Sequence, residues 1–187
     1  DKLRLCIDFK FQNDQTEPFP YPIPEIKDQL VRLAVKEYFC SLDCSSFFHE
    51  FEILESCRAL TAFVTPWGQK LQWRRVPFGL RNAPAHCQRQ FQELLARSEN
   101  PILHGIIPYF DDCAFGAKTI PELCEKLEAL LKVAVENGLK FKESKCVLGT
   151  RAINHLGFVV NKDGIHISPD RVDKLLKISA AKDVDDV

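Results

Sequence analysis

Three carboxylates stand where apolar packing would be expected. Asp43 closes the run Tyr38-Phe39-Cys40-Ser41-Leu42, and Asp111-Asp112 lie between Tyr109-Phe110 and Cys113-Ala114-Phe115. An unpaired carboxylate taken out of water is costly, so neighbouring ones need a cation or a proton. Two aspartates at the tips of adjacent strands could hold two Mg2+ ions about 3.5–4 Å apart, which steady the attacking and leaving oxygens of an in-line phosphoryl displacement. Mg2+ suits such a pair because it takes hard oxygen ligands and keeps water or substrate phosphate for the rest. The competing reading of Asp111-Asp112 is a plain polar β-turn.

A second feature is a charge asymmetry. From Ser56 to Gln92 the chain has no Asp or Glu, yet it carries Arg58, Lys70, Arg74, Arg75, Arg81 and Arg89, interleaved with Phe63, Trp67, Trp73 and Phe78. Cations among aromatics suit a phosphate backbone whose bases stack on the rings. A solvated hairpin face accounts for the same residues. Beside a two-carboxylate site, the stretch favours an enzyme that processes nucleic acid. The total does not announce that partner: 25 Lys and Arg oppose 26 Asp and Glu, a net charge of −1. Any basic surface is therefore local.

These residues need elements to hold them. The segment Leu3 to Phe9 reads as a strand, and residues 14–24, rich in proline, as an extended connector. Ile26, Leu30 and Leu33 follow helical spacing, and Tyr38 to Asp43 reads as a buried strand. Residues 61–78 alternate around Pro66-Trp67-Gly68, which predicts a hairpin. Asn82 is the expected N-cap of a helix running to about Arg97. Thr119 and Glu122 make a capping box for a helix with the stripe Leu123, Leu127, Leu130, Leu131 and Ala134, stopped by Asn137-Gly138. Then come a strand over 155–160, a turn at 162–164, a strand over 165–167 and a helix opened by Ser168-Pro169. Strands and helices mix without regular βαβ alternation, which favours α+β with an antiparallel sheet.

The 187 residues, 45% hydrophobic and 27% charged, suit one domain or two small ones sharing a core. No apolar run approaches the roughly 20 residues that cross a bilayer, and no secretory signal pattern opens the chain. Met is absent, and the chain reads as a piece of a longer reading frame. Eight cysteines include Cys6, Cys40 and Cys124 in apolar runs, where a thiol acts as a small hydrophobe. Cys40 and Cys44 would share a strand face. No Cys-x-x-Cys is present, and a zinc site would draw on scattered histidines. The plain reading is free thiols in a reducing intracellular compartment.

Six motifs occur in order: Leu42-Asp43 with Ser46-Phe47-Phe48-His49; Thr61 to Gly68; Pro77-Phe78-Gly79-Leu80-Arg81-Asn82-Ala83-Pro84-Ala85; Tyr109-Phe110-Asp111-Asp112; Lys145-Cys146; and Leu156-Gly157-Phe158-Val159-Val160. From about Arg4 to Val172 the chain resembles the reverse transcriptase of gypsy-type long-terminal-repeat retrotransposons, and more distantly that of retroviruses. The resemblance implies a right-hand polymerase, an α+β fold whose palm has a central antiparallel sheet packed on helices. Residues 1–17 and 51–82 would form the fingers, 18–50 and 83–167 the palm, and 168–187 the start of the thumb. It implies RNA-directed DNA synthesis with two Mg2+ ions, or Mn2+ in their place, on a primed RNA or DNA template with dNTPs. The other partners would be the rest of the thumb, an RNase H and further polyprotein units, in a cytoplasmic virus-like particle or the nucleus, with no membrane.

Residue by residue, the resemblance gives Asp43 and Asp111 as the metal-binding pair, Asp112 as a third carboxylate, and the Cys44 carbonyl as a further ligand. Arg4 would lie along the triphosphate, a planar donor fork suited to phosphate. Phe48 would pack under the deoxyribose and exclude a 2′-hydroxyl, and Phe78 and Gly79 would line the nucleotide pocket. Arg74, Arg75, Arg81, Pro84 and Tyr109 would touch template or primer, and Leu156-Gly157 would grip the primer end. Lys145 would stand near the departing pyrophosphate as a general acid. The chain departs from the family at Phe47, where glycine is common, and at Phe110, where Leu, Val or Met is common. The alternative is a host-adopted relative, weak or inactive in catalysis, that keeps the fold to bind nucleic acid or protein.

Overall fold

A computed structural model describes residues 5–98 and 100–177. Its centre is a four-stranded antiparallel sheet in the order β4-β5-β1-β6, built from β1 (Tyr38–Asp43), β4 (Ile107–Tyr109), β5 (Asp112–Ala117) and β6 (Val147–Thr150). β1 pairs along its whole length with β5, from Tyr38 opposite Ala117 to Asp43 opposite Asp112. Side chains alternate across a sheet, and both faces are covered. Cys40 and Leu42 of β1, with Cys113, Phe115 and Ala117 of β5, join the larger core beneath helices α4 (Ala83–Arg97) and α5 (Ile120–Asn137). Phe39 and Ala114 turn the other way, against Leu30 and Leu33 of α2 (Ile26–Leu33) and against Ile153 and Val160. Those last two belong to a three-stranded sheet of β7 (Ala152–His155), β8 (Phe158–Asn161) and β9 (Gly164–Ile167), which leads into α6 (Pro169–Leu176). Gly116 has no room for a side chain: a Cβ there would come within 2.9 Å of Lys36.

Several local expectations change. Residues 5–9 form no strand; Asp8 Oδ1 accepts the Lys10 N–H at 2.8 Å and turns the chain into α1 (Lys10–Gln15). Asn82 is the N-cap residue of α4, as expected, but its side chain makes no capping bond because its amide is engaged elsewhere: Oδ1 accepts the Phe19 N–H at 3.0 Å and Nδ2 donates to the Glu17 carbonyl at 2.8 Å. The α5 capping box is displaced by one residue. Thr119 Oγ1 accepts the Glu122 N–H, but Glu122 reaches back to the Lys118 N–H. Leu131 lies a residue past the buried stripe and is 42% exposed, and Val133 is buried instead. The expected strand over 155–160 is broken by a tight turn at Leu156-Gly157, whose φ values are +52° and +80°. Of the thiols assigned to apolar packing, Cys40 is buried while Cys6 and Cys124 are exposed. The 61–78 hairpin forms, with α3 (Glu55–Arg58) preceding its strands β2 (Phe63–Val64) and β3 (Lys70–Leu71).

His155 at the end of β7 is buried, its Nε2 has no hydrogen-bond partner among the described residues, and burial pushes its pKa down to about 4. The unfolded chain takes up this proton near pH 6.5. The neutral ring therefore contributes stability that is complete above that pH and is lost as pH falls towards 4, about 3 kcal/mol in all. The melting temperature should drop steadily from pH 6.5 to 4.5, and His155→Leu should flatten that slope. An identical slope in the variant would assign the acid sensitivity to other groups.

Candidate active site

Strand register sets the carboxylates. Asp43 ends β1 directly opposite Asp112, the first residue of β5. Tyr109 also pairs with Asp112, so Phe110 and Asp111 alone form the loop joining β4 to β5. The Cys44 N–H donates to the Asp111 carbonyl at 2.6 Å and ties the end of β1 to this loop. Three carboxylates thus share one end of the central sheet, as the sequence led us to expect. Their crowding has an electrostatic cost. Burial first, then the charges of Asp111 and Asp43, raise the Asp112 pKa to about 6.

The segment after Leu139 completes the site. Ser45 N–H donates to the Lys140 carbonyl and Lys142 N–H to the Asp43 carbonyl, which lays residues 140–145 alongside the end of β1. Lys145 then donates from Nζ to Asp43 Oδ2, and that hydrogen bond holds its pKa above the ordinary lysine value. The Cys44 thiol is buried and its pKa is raised by burial and by the three aspartates, and Mg2+ takes hard oxygen rather than sulfur, so the ligand this residue offers is its carbonyl. Its carbonyl accepts no backbone hydrogen bond among the described residues. No three His, Cys, Asp or Glu side chains among those residues form a ready-made metal cage. Mg2+ does not need one, since one or two carboxylates with water and substrate phosphate suffice. Asp43, Asp111 and the Cys44 carbonyl offer hard oxygens, and the raised Asp112 pKa marks excess negative charge, so the residues fit the ion.

Beside the carboxylates lies an aromatic wall. A 3-10 turn over Phe47–Glu50 follows β1 and separates two adjacent rings. Phe47 is buried against Phe51 and Phe91, with ring centroids 5.1 and 5.8 Å away. The ring that departs from the family pattern is therefore a core residue. Phe48 is half-buried and meets Phe78 edge-on at 5.5 Å. Gly79, at φ +95°, bends the chain after Phe78, and its carbonyl accepts from Asn13 Nδ2.

The acid-free stretch divides in two. Arg58 donates to the Ile53 carbonyl and Arg89 pairs with Glu93. Arg75 donates to the carbonyls of His49 and Glu50 and pairs with Glu52 at 3.3 Å. Arg81 Nη1 holds the carbonyls of Asn13 and Thr16 at the end of α1. These four guanidiniums hold groups of the chain itself, and those of Arg75 and Arg81 remain exposed. Lys70 and Arg74 are exposed and have no side-chain partner among the described residues. Pro84 is half-buried in the first turn of α4, and Tyr109 packs edge-on against Phe110 at 4.9 Å. The Leu156-Gly157 turn belongs to the separate β7-β8-β9 sheet, where the Gly157 carbonyl accepts the Ser168 N–H. Arg4 lies outside the described residues.

One residue escaped the sequence reading. Gln88 of α4 is fully buried, and both ends of its amide serve the carboxylate loop: Nε2 donates to the Pro108 carbonyl at 2.9 Å and Oε1 accepts the Phe110 N–H at 2.6 Å. Phe110 carries φ +52°, a setting hairpin loops usually give to glycine and one that costs about 1–3 kcal/mol elsewhere. The signal was present, since Gln88 is a polar residue one position from Cys87 on the stripe Cys87, Phe91 and Leu95. Gln88→Leu should leave two backbone groups unpaired at about 1–3 kcal/mol each and lower the melting temperature. It should also release the loop, so amide exchange at Phe110 and Asp111 should rise more than elsewhere. Uniform exchange would reduce Gln88 to a core residue.

The sequence profile of the family "Reverse transcriptase (RNA-dependent DNA polymerase)" matches residues 1–160. The chain is 33% identical over 173 residues to the retrovirus-related Pol polyprotein from transposon 297 of Drosophila melanogaster, covering 92% of this chain and 16% of that polyprotein. To the Pol polyprotein from transposon gypsy of the same fly it is 31% identical over 169 residues, covering 90% and 16%. It therefore spans only a small part of these relatives. The foamy viral protease-reverse transcriptase in complex with dsDNA matches with a TM-score of 0.85 at 25% identity, over 97% of this chain and 37% of that one. The same viral protein in complex with an RNA/DNA hybrid gives 0.84 at 25% identity, over 98% and 24%. The profile spans both carboxylate strands and their aromatic wall, and the chain belongs to the reverse transcriptase family.

Proposed function

We propose that this chain carries the nucleotidyl-transfer site of an RNA-directed DNA polymerase from a retroelement polyprotein. A primer 3′-oxygen bonds to the α-phosphorus of a dNTP as the bond to pyrophosphate breaks. The observation that carries the reading is Asp43 facing Asp112 across the β1–β5 ladder with Asp111 beside them. Asp43, Asp111 and the Cys44 carbonyl would hold the ions, with Asp112 behind them. When bound there, two Mg2+ ions would activate the primer oxygen and neutralise charge on the triphosphate. Lys145, hydrogen-bonded to Asp43, would give a proton to the departing pyrophosphate. Phe48 and Phe78 form the wall against which the sugar and base would rest, and Arg4 would reach the phosphates.

Residues 1–17 and 51–82 act as fingers and residues 18–50 and 83–167 as palm in this reading. Lys70 and Arg74 would meet template phosphate, whereas Arg75 and Arg81 brace the chain. The leading partners are a primed template and dNTPs; the foamy viral relatives bind dsDNA and an RNA/DNA hybrid. The test is extension of a DNA primer on an RNA template with Mg2+, comparing dNTPs with rNTPs. Template-dependent products with dNTPs alone support the reading. Tight template binding without extension, with Mg2+ or Mn2+, would support the binding-module alternative instead.

A further inference from the structure

A single turn carries Lys145 to the carboxylates. Phe141 and Cys146 are half-buried against the larger core, and the residues between them, Lys142 to Lys145, are exposed. The turn starts on the site: the Lys142 N–H donates to the Asp43 carbonyl at 2.8 Å, beside the bridge between Phe141 and Cys44. It then closes on itself. The Lys145 N–H donates to the Lys142 carbonyl at 2.9 Å, and the Cys146 N–H to the Glu143 carbonyl at 3.0 Å. The Cys146 thiol adds a third bond, donating to the Lys142 carbonyl at 3.3 Å. One carbonyl thus accepts from the residue that bears the ammonium and from the thiol next to it.

We infer that Cys146 is a positioning residue: its thiol closes the turn that holds the Lys145 ammonium at Asp43. This role depends on the polymerase reading above, which gives Lys145 its task and makes no use of Cys146. The Lys145 side chain is 52% exposed, so packing does little to fix it. An ammonium on a flexible four-carbon stem is placed by where its backbone stands. That backbone is set at one end by Lys142 on Asp43. At the other end stands Cys146, whose side chain packs on the core and bonds back to the start of the turn. The next residue, Val147, pairs with Ser41 of β1, so the thiol sits where the turn joins the sheet. A thiol is a weak donor, yet it is the side chain that links the two ends of this short exposed segment. Proton transfer requires hydrogen-bond reach, and a small shift of the turn would take Lys145 out of it.

The test compares Cys146→Ser with Cys146→Ala in the 187-residue chain. Both lose the sulfur, and they differ in whether a donor remains. The first readout needs no substrate: the rate at which acetic anhydride acylates Lys145, followed by mass spectrometry against Lys140 in the same molecule. Loss of one hydrogen bond should speed labelling of Lys145 by about threefold or more in Cys146→Ala. Cys146→Ser should label like the parent. The second readout is primer extension. Cys146→Ala should lower kcat about tenfold, part of the roughly hundredfold or more that a general acid supplies, with KM for dNTP within about twofold of the parent. Cys146→Ser should restore kcat, and in a Lys145→Ala chain the Cys146→Ala change should cost nothing further. If the thiol merely fills space, Ser and Ala behave alike in both readouts; that result, or a further loss without Lys145, would overturn the role. The labelling pattern without any primer extension by the parent would support the placement of Lys145 by Cys146 and count against the polymerase reading alone.

Discussion

Asp43→Asn should lower primer extension by about three orders of magnitude or more, while the melting temperature and primer–template affinity change little. The substitution keeps the shape of the side chain and removes one negative charge. Its neighbours show what that charge does: Lys145 donates to it, and its field helps raise the Asp112 pKa to about 6. A ligand carboxylate stabilises charge as it develops on the reacting oxygens, and roughly 4 kcal/mol of such stabilisation corresponds to a thousandfold in rate. Asn at this position should also bring the Asp112 pKa down, since a like charge has gone. Titration of the Asp112 carboxyl by NMR reads that shift without any activity assay. Extension within tenfold of the parent would remove Asp43 from the chemistry.

Phe48→Val should raise rCTP incorporation relative to dCTP by about tenfold or more, a difference of about 1.4 kcal/mol. Phe48 is half-buried and stands 5.5 Å edge-on to Phe78, so a bound sugar would meet its exposed side. A ring can exclude a 2′-hydroxyl by bulk alone, without a phenolic oxygen. Phe47, beside it, is buried against Phe51 and Phe91, and its truncation should instead lower stability by about 3–5 kcal/mol. The measurement is the ratio of kcat/KM for dCTP over CTP, with melting curves for both variants. An unchanged ratio in a normally melting Phe48→Val protein would contradict the gate.

The carboxylates were legible because acids inside apolar runs are visible in one dimension. Asp43 and Asp111-Asp112 interrupt such runs, and antiparallel pairing of β1 with β5 does the rest. Long helices were legible from their stripes and stops, as with Gly138 ending α5 at φ +73°. What sequence could not show is which partner wins a side chain. Asn82 holds the cap position of α4, but the connector takes its side chain through Phe19 and Glu17, and Arg75 and Arg81, read as phosphate ligands, also hold backbone carbonyls while staying exposed. Gln88 is the inverse case, a helix former by type whose task depends on a loop about 20 residues away in the chain. Segment 5–9 has strand composition, yet composition does not supply a neighbouring strand.

Mn2+ binding followed by electron paramagnetic resonance shows whether Asp43 and Asp111 hold divalent metal for transfer chemistry. The chain is titrated in complex with a primer–template ended in a dideoxynucleotide and the next dNTP, so that no turnover consumes the sites. About two ions per complex should bind above the background of nucleotide alone. Both should be lost in the Asp43→Asn, Asp111→Asn double variant at the same concentrations. Equal Mn2+ binding by the parent and the double variant, each with a normal melting transition and bound primer–template, would remove both aspartates from metal binding.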